Sequence, residues 1–284
     1  MRWLVTGARG MLGTDLVALL RGRGEEVAAL GRAELDVRDP SAVVQAVRLH
    51  RPDAVVNCAG WTAVNEAETR EDEALALNGH AVRALAEACA GSGARLVQIS
   101  TDYVFDGAAR APYPEDAPVS PVNAYGRTKL AGERAVLELL PETGYVVRTA
   151  WLYGSAGANF VRTIAGLERS RPTVEVVDDQ IGQPTWTGDV AARVAETVLG
   201  EAPAGVYHAT NSGRTSWYGL AKEIFLLLGA DPRRVVPVSS DRYPSPARRP
   251  AFSVLGHDGW GRAGLPPLRD WRKALRDSDV LVSL

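Results

Sequence analysis

Short apolar runs alternate with amphipathic segments along the first part of the chain. The runs RWLVTG, EVAAL, DAVVNCAG, RLVQIS and YVVRTA are followed by helix-like spacing over 11–23, 40–50, about 70–92, 123–140 and 157–170. A short apolar run is typical of a buried strand, whereas apolar positions three and four residues apart indicate a helix. Five strand–helix repeats predict an α/β fold with a Rossmann-type doubly wound parallel sheet, since each helix returns the chain to the same sheet.

The pattern changes after residue 171. Proline, glycine and tryptophan become frequent, as in RPTVEVVDDQIGQPTW and PVSSDRYPSPARRP, and a short helix is predicted at 216–228. We predict a Rossmann-type domain over 1–171 with parts of 186–210, and a smaller C-terminal α/β lobe formed mainly by 172–284. The segment 187–200 could be a further helix of the main sheet.

Composition favours a small-molecule enzyme. A chain of 284 residues can bury a full core, and a net charge of -2 with a pI near 6.1 gives no general attraction to nucleic acid or anionic membranes. No apolar run is as long as a membrane span, so we predict a cytoplasmic monomer or homodimer. Cys58 and Cys89 have apolar or small neighbours, which predicts reduced, buried thiols and no metal site.

Residues 2–13, RWLVTGARGMLG, predict a nucleotide loop. Gly7, Gly10 and Gly13 lie between the first strand and a helix. Residues without side chains let the backbone approach a pyrophosphate, and the helix N-terminus supplies N–H groups and a favourable dipole. The spacing is that of short-chain dehydrogenases.

The end of the second strand bears on cofactor choice. Leu30-Gly31-Arg32 carries no acidic residue for a ribose 2′-hydroxyl, and Arg32 could pair with a 2′-phosphate, so NADPH is favoured and NADH is the alternative. Small residues at Ala59 and Gly60 would let the cofactor lie across the sheet end.

Tyr125 and Lys129 are four residues apart on a predicted helix and therefore share one face. Two charges about 4 Å apart attract by about 4 kcal/mol at a dielectric near 20, which corresponds to about three pKa units. We therefore expect the ammonium to lower the pKa of the phenol toward neutrality. Thr101 ends the predicted fourth strand, at the sheet edge where ligands bind.

The segments TGARGMLG, NCAGWTAVNEAE, STDYVFDG, NAYGRTKLAGE and RTAWLYG resemble the extended short-chain dehydrogenase/reductase superfamily, and within it the dTDP-4-dehydrorhamnose reductase family. The resemblance runs nearly end to end. It implies that NADPH reduces the C4 ketone of dTDP-4-dehydro-L-rhamnose to give dTDP-L-rhamnose for polysaccharide biosynthesis. It also implies that Tyr125 donates a proton, that Lys129 lowers the tyrosine pKa and holds the nicotinamide ribose, and that Thr101 binds the reacting carbonyl.

Further roles follow from the same resemblance. The implied cofactor positions, besides Tyr125 and Lys129, are Gly10, Met11, Leu12, Asp36, Val37, Gly60, Trp61 and Thr62. The expected substrate positions, besides Thr101, are Asp102, Tyr103, Trp151, Asn159, Gln183 and Arg249.

Some relatives hold Mg²⁺ at a dimer interface through glutamates. Here the early position is Asp15, and no glutamate lies near Thr187 and Gly188, so we do not predict that site.

Three other functions share the fold. A 4,6-dehydratase requires a carboxylate where Tyr103 stands. A 4-epimerase or a related ketoreductase is compatible with the Tyr–Lys pair. A non-catalytic subunit that resembles the regulatory subunit of methionine adenosyltransferase would act by binding a partner enzyme.

Overall fold

The computed structural model describes residues 1–281. The strands are β1 Arg2–Thr6, β2 Glu26–Leu30, β3 Ala54–Asn57, β4 Arg95–Thr101, β5 Gly144–Thr149, β6 Leu152–Tyr153, β7 Val174–Val177, β8 Ile181–Gly182, β9 Thr185–Trp186, β10 Gly205–His208, β11 Thr215–Ser216 and β12 Val235–Val238. The helices are α1 Met11–Gly22, α2 Pro40–His50, α3 Val64–Ala67, α4 Glu71–Leu75, α5 Ala81–Ser92, α6 Ala124–Leu139, α7 Phe160–Ser170, α8 Thr187–Leu199, α9 Trp217–Leu227, α10 Asp258–Arg262 and α11 Trp271–Asp277.

Six strands form one parallel sheet in the order β10-β5-β4-β3-β1-β2. Strands β3 and β5 are buried along their whole length, as expected for strands that helices cover on both faces. The strand order reverses between β1 and β3, which opens a crevice at the carboxyl ends of the strands. The predicted doubly wound sheet is therefore confirmed.

Helices pack on both faces of this sheet. On one face α1 and α8 meet around Leu16 and Val194. On the other face α2, α5 and α6 meet around Leu85 and Val136. The segment predicted at 187–200 is thus a helix of the main sheet.

Three features differ from the sequence pattern or were absent from it. Strand β10 extends the sheet beyond β5, and a π-helical turn at Ala76–His80 interrupts the helix predicted over about 70–92. Helix α7 packs with α9 and α11 around Ile164 and Trp271, in a third apolar cluster, instead of covering the sheet. The division of the chain into two domains near residue 171 stays a prediction.

The first testable expectation concerns the packing of α1 against α8. Leu16→Ala should lower the free energy of unfolding by about 2–5 kcal/mol, because it leaves a cavity in a fully buried site. Leu49→Ala is the matched control. Leu49 on α2 is 77% exposed, so this substitution should change the free energy of unfolding little. Chemical denaturation measures both, and equal losses would contradict the buried α1–α8 contact.

Candidate active site

The glycine loop between β1 and α1 lies against the loop that follows β3. Gly7 has a φ of 60°, and a Cβ atom there would lie 2.5 Å from the Ala59 backbone nitrogen. A Cβ atom on Gly13 would overlap the Gly7 carbonyl oxygen, so Gly13 serves packing beneath the loop. Gly10 is the N-cap of α1 and brings no side chain to the first N–H groups of the helix. These exposed N–H groups and the positive helix end fit a pyrophosphate.

Charged groups surround the end of β2. Arg38 donates to Asp36 over 2.5 Å, and this hydrogen bond lowers the pKa of Asp36 to about 2. Arg32 lies nearby, and its positive charge also lowers the pKa of Asp36. The arginine predicted to face a 2′-phosphate therefore lies at the expected sheet edge.

Glu34 is a residue that the sequence analysis missed. Its carboxylate folds back to accept the Gly31 N–H over 2.9 Å, and its other oxygen pairs with Arg9. The expectation that no acidic group lies at the end of β2 is therefore wrong, because Glu34 reaches this point through the loop. Its charge is offset by Arg9, which packs over Gly31.

Asn78 holds the loop after β3 in place. It lies in the π-helical turn, where it accepts the Trp61 N–H over 2.9 Å and donates to the Trp61 carbonyl and to the Thr128 hydroxyl. A Cβ atom on Gly60 would lie 3.2 Å from the Asn78 side-chain oxygen. The loop Ala59–Thr62 is thus tied to α6, and π-helical turns are frequent at functional sites.

Tyr125, Thr101 and Lys129 converge where α6 meets the end of β4. The Tyr125 hydroxyl and Thr101 line the same chamber, and the Thr101 hydroxyl donates to Asp102 over 3.0 Å. The Lys129 ammonium is buried and donates to the Ile99 carbonyl oxygen over 2.5 Å. The three residues predicted as catalytic therefore lie together at the carboxyl edge of the sheet.

The expected effect of Lys129 on the phenol is wrong for this structure. Burial raises the pKa of Tyr125 above its ordinary value, and the nearby Thr101 hydroxyl opposes that rise only in part. Burial also lowers the pKa of Lys129 to about 8, against the raising effect of the Glu133 carboxylate. The two residues share one helix face, but burial, and not the charge of the lysine, is the largest influence on the pKa of the phenol.

Asp102 and Tyr103 extend the site from the end of β4. Burial raises the pKa of Asp102 to about 6. The ring of Tyr103 packs edge-to-face with that of Tyr125, with centroids 5.8 Å apart. Arg249 donates to the Tyr103 hydroxyl over 3.0 Å and to Asn65 over 3.2 Å. The predicted substrate residues Asp102, Tyr103 and Arg249 are thus brought together.

Trp151 forms the opposite wall and has a φ of 47°, a backbone conformation that side chains rarely adopt. Its ring stacks on Trp217 with centroids 3.5 Å apart and an interplanar angle of 7°. A Cβ atom on Gly182 would lie 2.5 Å from the Trp151 ring, so the ring fits only against glycine. Strained backbone of this kind is frequent at ligand sites.

These groups line three adjoining chambers. The glycine-loop chamber has about 620 Å³ and includes Gly7, Gly10, Arg32, Asp36, Val37 and Trp61. The Tyr125 chamber has about 570 Å³ and includes Met11, Leu12, Thr101, Tyr125, Lys129 and Trp151. The Trp217 chamber has about 690 Å³ and includes Phe160, Leu167, Tyr243, Arg248 and Arg249. Gly10, Ala59, Gly60 and Thr62 line both of the first two chambers, and Trp217 lines the second and third, so the cleft is continuous.

Asn159 and Gln183 lie outside the residues that line these chambers. Asn159 is the N-cap of α7, where its side chain accepts the Arg162 N–H and donates to the Gly154 carbonyl oxygen. Gln183 is buried and bonds to both backbone groups of Leu255 and to the Thr210 hydroxyl. Their side chains are used in local structure, and a substrate role for either stays a prediction.

The cysteine thiols and the acidic side chains are the remaining candidate metal ligands. Both cysteines are free, and Cys89 is buried, whereas Cys58 is only partly buried and lines the cleft. Asp15 accepts a hydrogen bond from the Thr187 hydroxyl, and burial raises its pKa. Within residues 1–281 no three histidine, cysteine, aspartate or glutamate side chains are grouped to hold a metal ion.

Comparison with known proteins identifies the family. The family model described as "RmlD substrate binding domain" matches residues 1–280. A dTDP-4-dehydrorhamnose reductase from Streptomyces griseus is 58% identical over 98% of this chain and 92% of its own length. A dTDP-4-keto-6-deoxy-D-glucose reductase from Streptomyces niveus is 55% identical over 99% of this chain and 98% of its own length. The structure of a dTDP-4-dehydrorhamnose reductase from Bacillus anthracis in complex with NADP superposes with a TM-score of 0.94, at 36% identity over 98% of both chains.

The chain belongs to the dTDP-4-dehydrorhamnose reductase family. It is an oxidoreductase with a Rossmann-type fold, and the resemblance predicted from its motifs is confirmed. In residues 1–281 no helix combines the length and the apolar character needed to cross a membrane.

Sequence reasoning missed Asn78 and Trp217 as well as Glu34. A polar residue within the apolar helical stretch ALALNGH was a usable signal for Asn78. The sequence carried no comparable signal for Trp217, because this residue reaches the cleft through the packing of α9 against α7.

The second testable expectation concerns Asn159. Asn159→Ala should lower the free energy of unfolding by about 1 kcal/mol, because the cap of α7 is lost, and Asn159→Ser should retain most of that stability. Nucleotide-sugar affinity, measured by calorimetry, should be the same in all three proteins. Weaker binding in both variants would instead support the predicted substrate role.

Proposed function

We propose that the protein uses NADPH to reduce the C4 ketone of dTDP-4-dehydro-L-rhamnose, giving dTDP-L-rhamnose. The observation that carries this proposal is the convergence of Tyr125, Thr101 and Lys129 beside the glycine loop. The relative from Streptomyces griseus, which bears the name of this activity, supports the choice of substrate.

The chain's own residues fit a dinucleotide. Gly7 and Gly10 leave space for a pyrophosphate, and the N-terminus of α1 would bind its charge. The loop Ala59–Thr62, tied to α6 by Asn78, forms the wall along which the cofactor would lie. When bound, a reduced nicotinamide supplies the hydride.

Tyr125 is the proposed proton donor. Its raised pKa keeps the phenol protonated at neutral pH, as a donor requires, and an alkoxide that forms at C4 is far more basic than a phenolate. Thr101 would donate or accept a hydrogen bond at the same oxygen and so orient the carbonyl. Lys129 would hold the nicotinamide ribose and place a positive charge near the reacting centre.

The sugar nucleotide would extend from the Tyr125 chamber into the Trp217 chamber. The stacked rings of Trp151 and Trp217 offer an apolar face for the deoxysugar. Arg249 would pair with the diphosphate, since a guanidinium binds phosphate oxygens in a bidentate manner. Asp102 and Tyr103 would border the sugar.

A related ketoreduction is the second candidate. The Streptomyces niveus relative has nearly the same identity and bears the name of a reductase of a different 4-keto-6-deoxy sugar. Competition between dTDP-4-dehydro-L-rhamnose and dTDP-4-keto-6-deoxy-D-glucose would separate the candidates, because the two substrates differ in the sugar and share the nucleotide. A 4,6-dehydratase is disfavoured, since the position that needs a carboxylate is Tyr103, whose hydroxyl is bound by Arg249.

The third testable expectation concerns the proton donor. Tyr125→Phe should lower the kcat of NADPH oxidation with the 4-keto sugar by about 10²–10⁴-fold, because proton transfer is lost. NADPH affinity, measured by fluorescence, should change little. Tyr145→Phe is the matched control, since that buried hydroxyl bonds to the Ala202 carbonyl away from the cleft. Normal turnover of Tyr125→Phe would remove Tyr125 as donor.

The fourth testable expectation concerns cofactor selectivity. Arg32 and Arg9 both lie at the end of β2, where they would pair with a 2′-phosphate. Arg32→Ala should weaken NADPH binding by about 10–100-fold, because a charge-assisted hydrogen bond contributes about 1.5–3 kcal/mol, while NADH binding stays unchanged. Arg83→Ala, which removes only a surface ion pair with Glu138, is the control. Equal weakening for both cofactors would rule out a specific phosphate contact.

A further inference from the structure

Three consecutive residues at the end of β4 lie beside one face of α6. The Ile99 carbonyl accepts from Lys129 over 2.5 Å, the Ser100 hydroxyl donates to Glu133 over 2.5 Å, and Thr101 lines the same chamber as Tyr125. The three α6 residues are successive members of one helix face, because they are spaced four residues apart. Glu133 therefore belongs to the same contact surface as the proposed catalytic pair, one helical turn beyond Lys129.

Glu133 is held by a buried, bidentate ion pair. Arg148 on β5 donates to its two carboxylate oxygens over 2.9 and 2.8 Å, and the side chains are only 5% and 2% exposed. Arg148 lies opposite Ser100 in the β4–β5 register, so both partners of Glu133 come from neighbouring strands. Arg148 also donates to the Glu115 carbonyl and contacts His208. The carboxylate is thus fixed from two strands.

The balance of charge around Lys129 makes this carboxylate more than a packing group. Lys129 and Arg148 are both buried, and the carboxylate of Glu133 pairs with Arg148 and lies one helical turn after Lys129. The titratable groups that face Lys129 are Glu133 on its own helix and Cys58 on the loop after β3, with Tyr125 one turn before it and Arg148 beyond Glu133. Of these groups, Glu133 has the largest effect in favour of the charged lysine, whose burial favours the neutral amine.

We propose that Glu133 is a positioning residue for Lys129: held by Ser100 and Arg148, its carboxylate fixes α6 against the end of β4 and places a negative charge one helical turn from the lysine. Arg148 orients that carboxylate and limits how much of its charge acts on the lysine. The catalytic consequence rests on the proposed function, whereas the effect on Lys129 can be measured without turnover.

The chain allows a direct test because it contains only three lysines, Lys129, Lys222 and Lys273. Lysine labelled with ¹³Cε and ¹⁵Nζ gives three signals, which Lys222→Arg and Lys273→Arg assign. In Glu133→Gln the Lys129 titration should move to lower pH by about one unit or more, since the carboxylate raises the lysine pKa in the native protein. Glu138→Gln is the matched control, because Glu138 lies on the same helix but is 61% exposed and paired with Arg83.

A second pair of variants separates this role from stability alone. Arg148→Met should move the Lys129 titration to higher pH, because Glu133 is then left with Lys129 as its cation. The double variant Arg148→Met/Glu133→Gln should move the Lys129 titration back to lower pH. It also provides the comparison if Glu133→Gln alone does not fold, because it leaves no unpaired buried arginine. A merely structural ion pair would lower the thermal stability of both single variants without these opposite shifts. The proposal would be overturned if Glu133→Gln left the Lys129 titration unchanged both in the wild-type protein and in Arg148→Met.

Activity gives the remaining comparison. If the proposed function holds, the alkaline limb of the kcat/KM profile should move with the Lys129 signal to lower pH in Glu133→Gln, and Glu138→Gln should keep the wild-type profile. An alkaline limb that stays in place while the Lys129 signal moves would overturn the catalytic part of the proposal. Absence of turnover in the wild-type protein would instead refute the proposed function, and the lysine titration would still decide the role of Glu133.

Discussion

The close approach of the Gly7 turn to the loop after β3 determines the shape of the cleft. Because Gly7 has no side chain, its backbone lies against Cys58 and Ala59, and the ends of β1 and β3 meet where the strand order reverses. The N-terminus of α1 and the loop Ala59–Thr62 then become opposite walls of one chamber. Asn78 ties that loop to α6, so the glycine-loop and Tyr125 chambers share a wall held by hydrogen bonds.

Removal from water determines the protonation states in this cleft more than any single charge does. Burial raises the pKa values of Tyr125 and Asp102 and lowers that of Lys129, and in each case it is the largest contribution. A phenol that stays protonated suits a proton donor. The pKa of Lys129 is lowered to about 8, so this lysine loses its charge at a lower pH than a free lysine does. Helix spacing places Tyr125 and Lys129 on one face, but burial decides the direction of both pKa shifts.

The sequence predicted the main sheet well, because its strands are short continuous apolar runs and its helices are amphipathic. It also placed Tyr125, Lys129 and Thr101 at one sheet edge, since parallel strands share their carboxyl edge. It failed where long-range packing decides: Glu34 returns to β2 through a loop, Trp217 arrives from the third apolar cluster, and Asn159 caps α7. Sequence spacing can show that two residues share a helix face, but it cannot show how deeply the surrounding protein buries them. That is why the predicted direction of the Tyr125 pKa shift was wrong.

The two ends of the cleft are held by different parts of the fold, and this bears on how substrate choice can vary. The Tyr125 chamber lies between β4 and α6, where Ile99 and Ser100 are hydrogen-bonded to two residues of one helix face. The Trp217 chamber instead lies on α7, α9 and the loop around Tyr243 and Arg249, outside the main sheet. Trp151 joins the two, since its unusual backbone conformation is held by stacking on Trp217 and by the space above Gly182. If the proposed function holds, substitutions around the Trp217 chamber should change which nucleotide sugar fits while leaving the hydroxyls of Tyr125 and Thr101 in place.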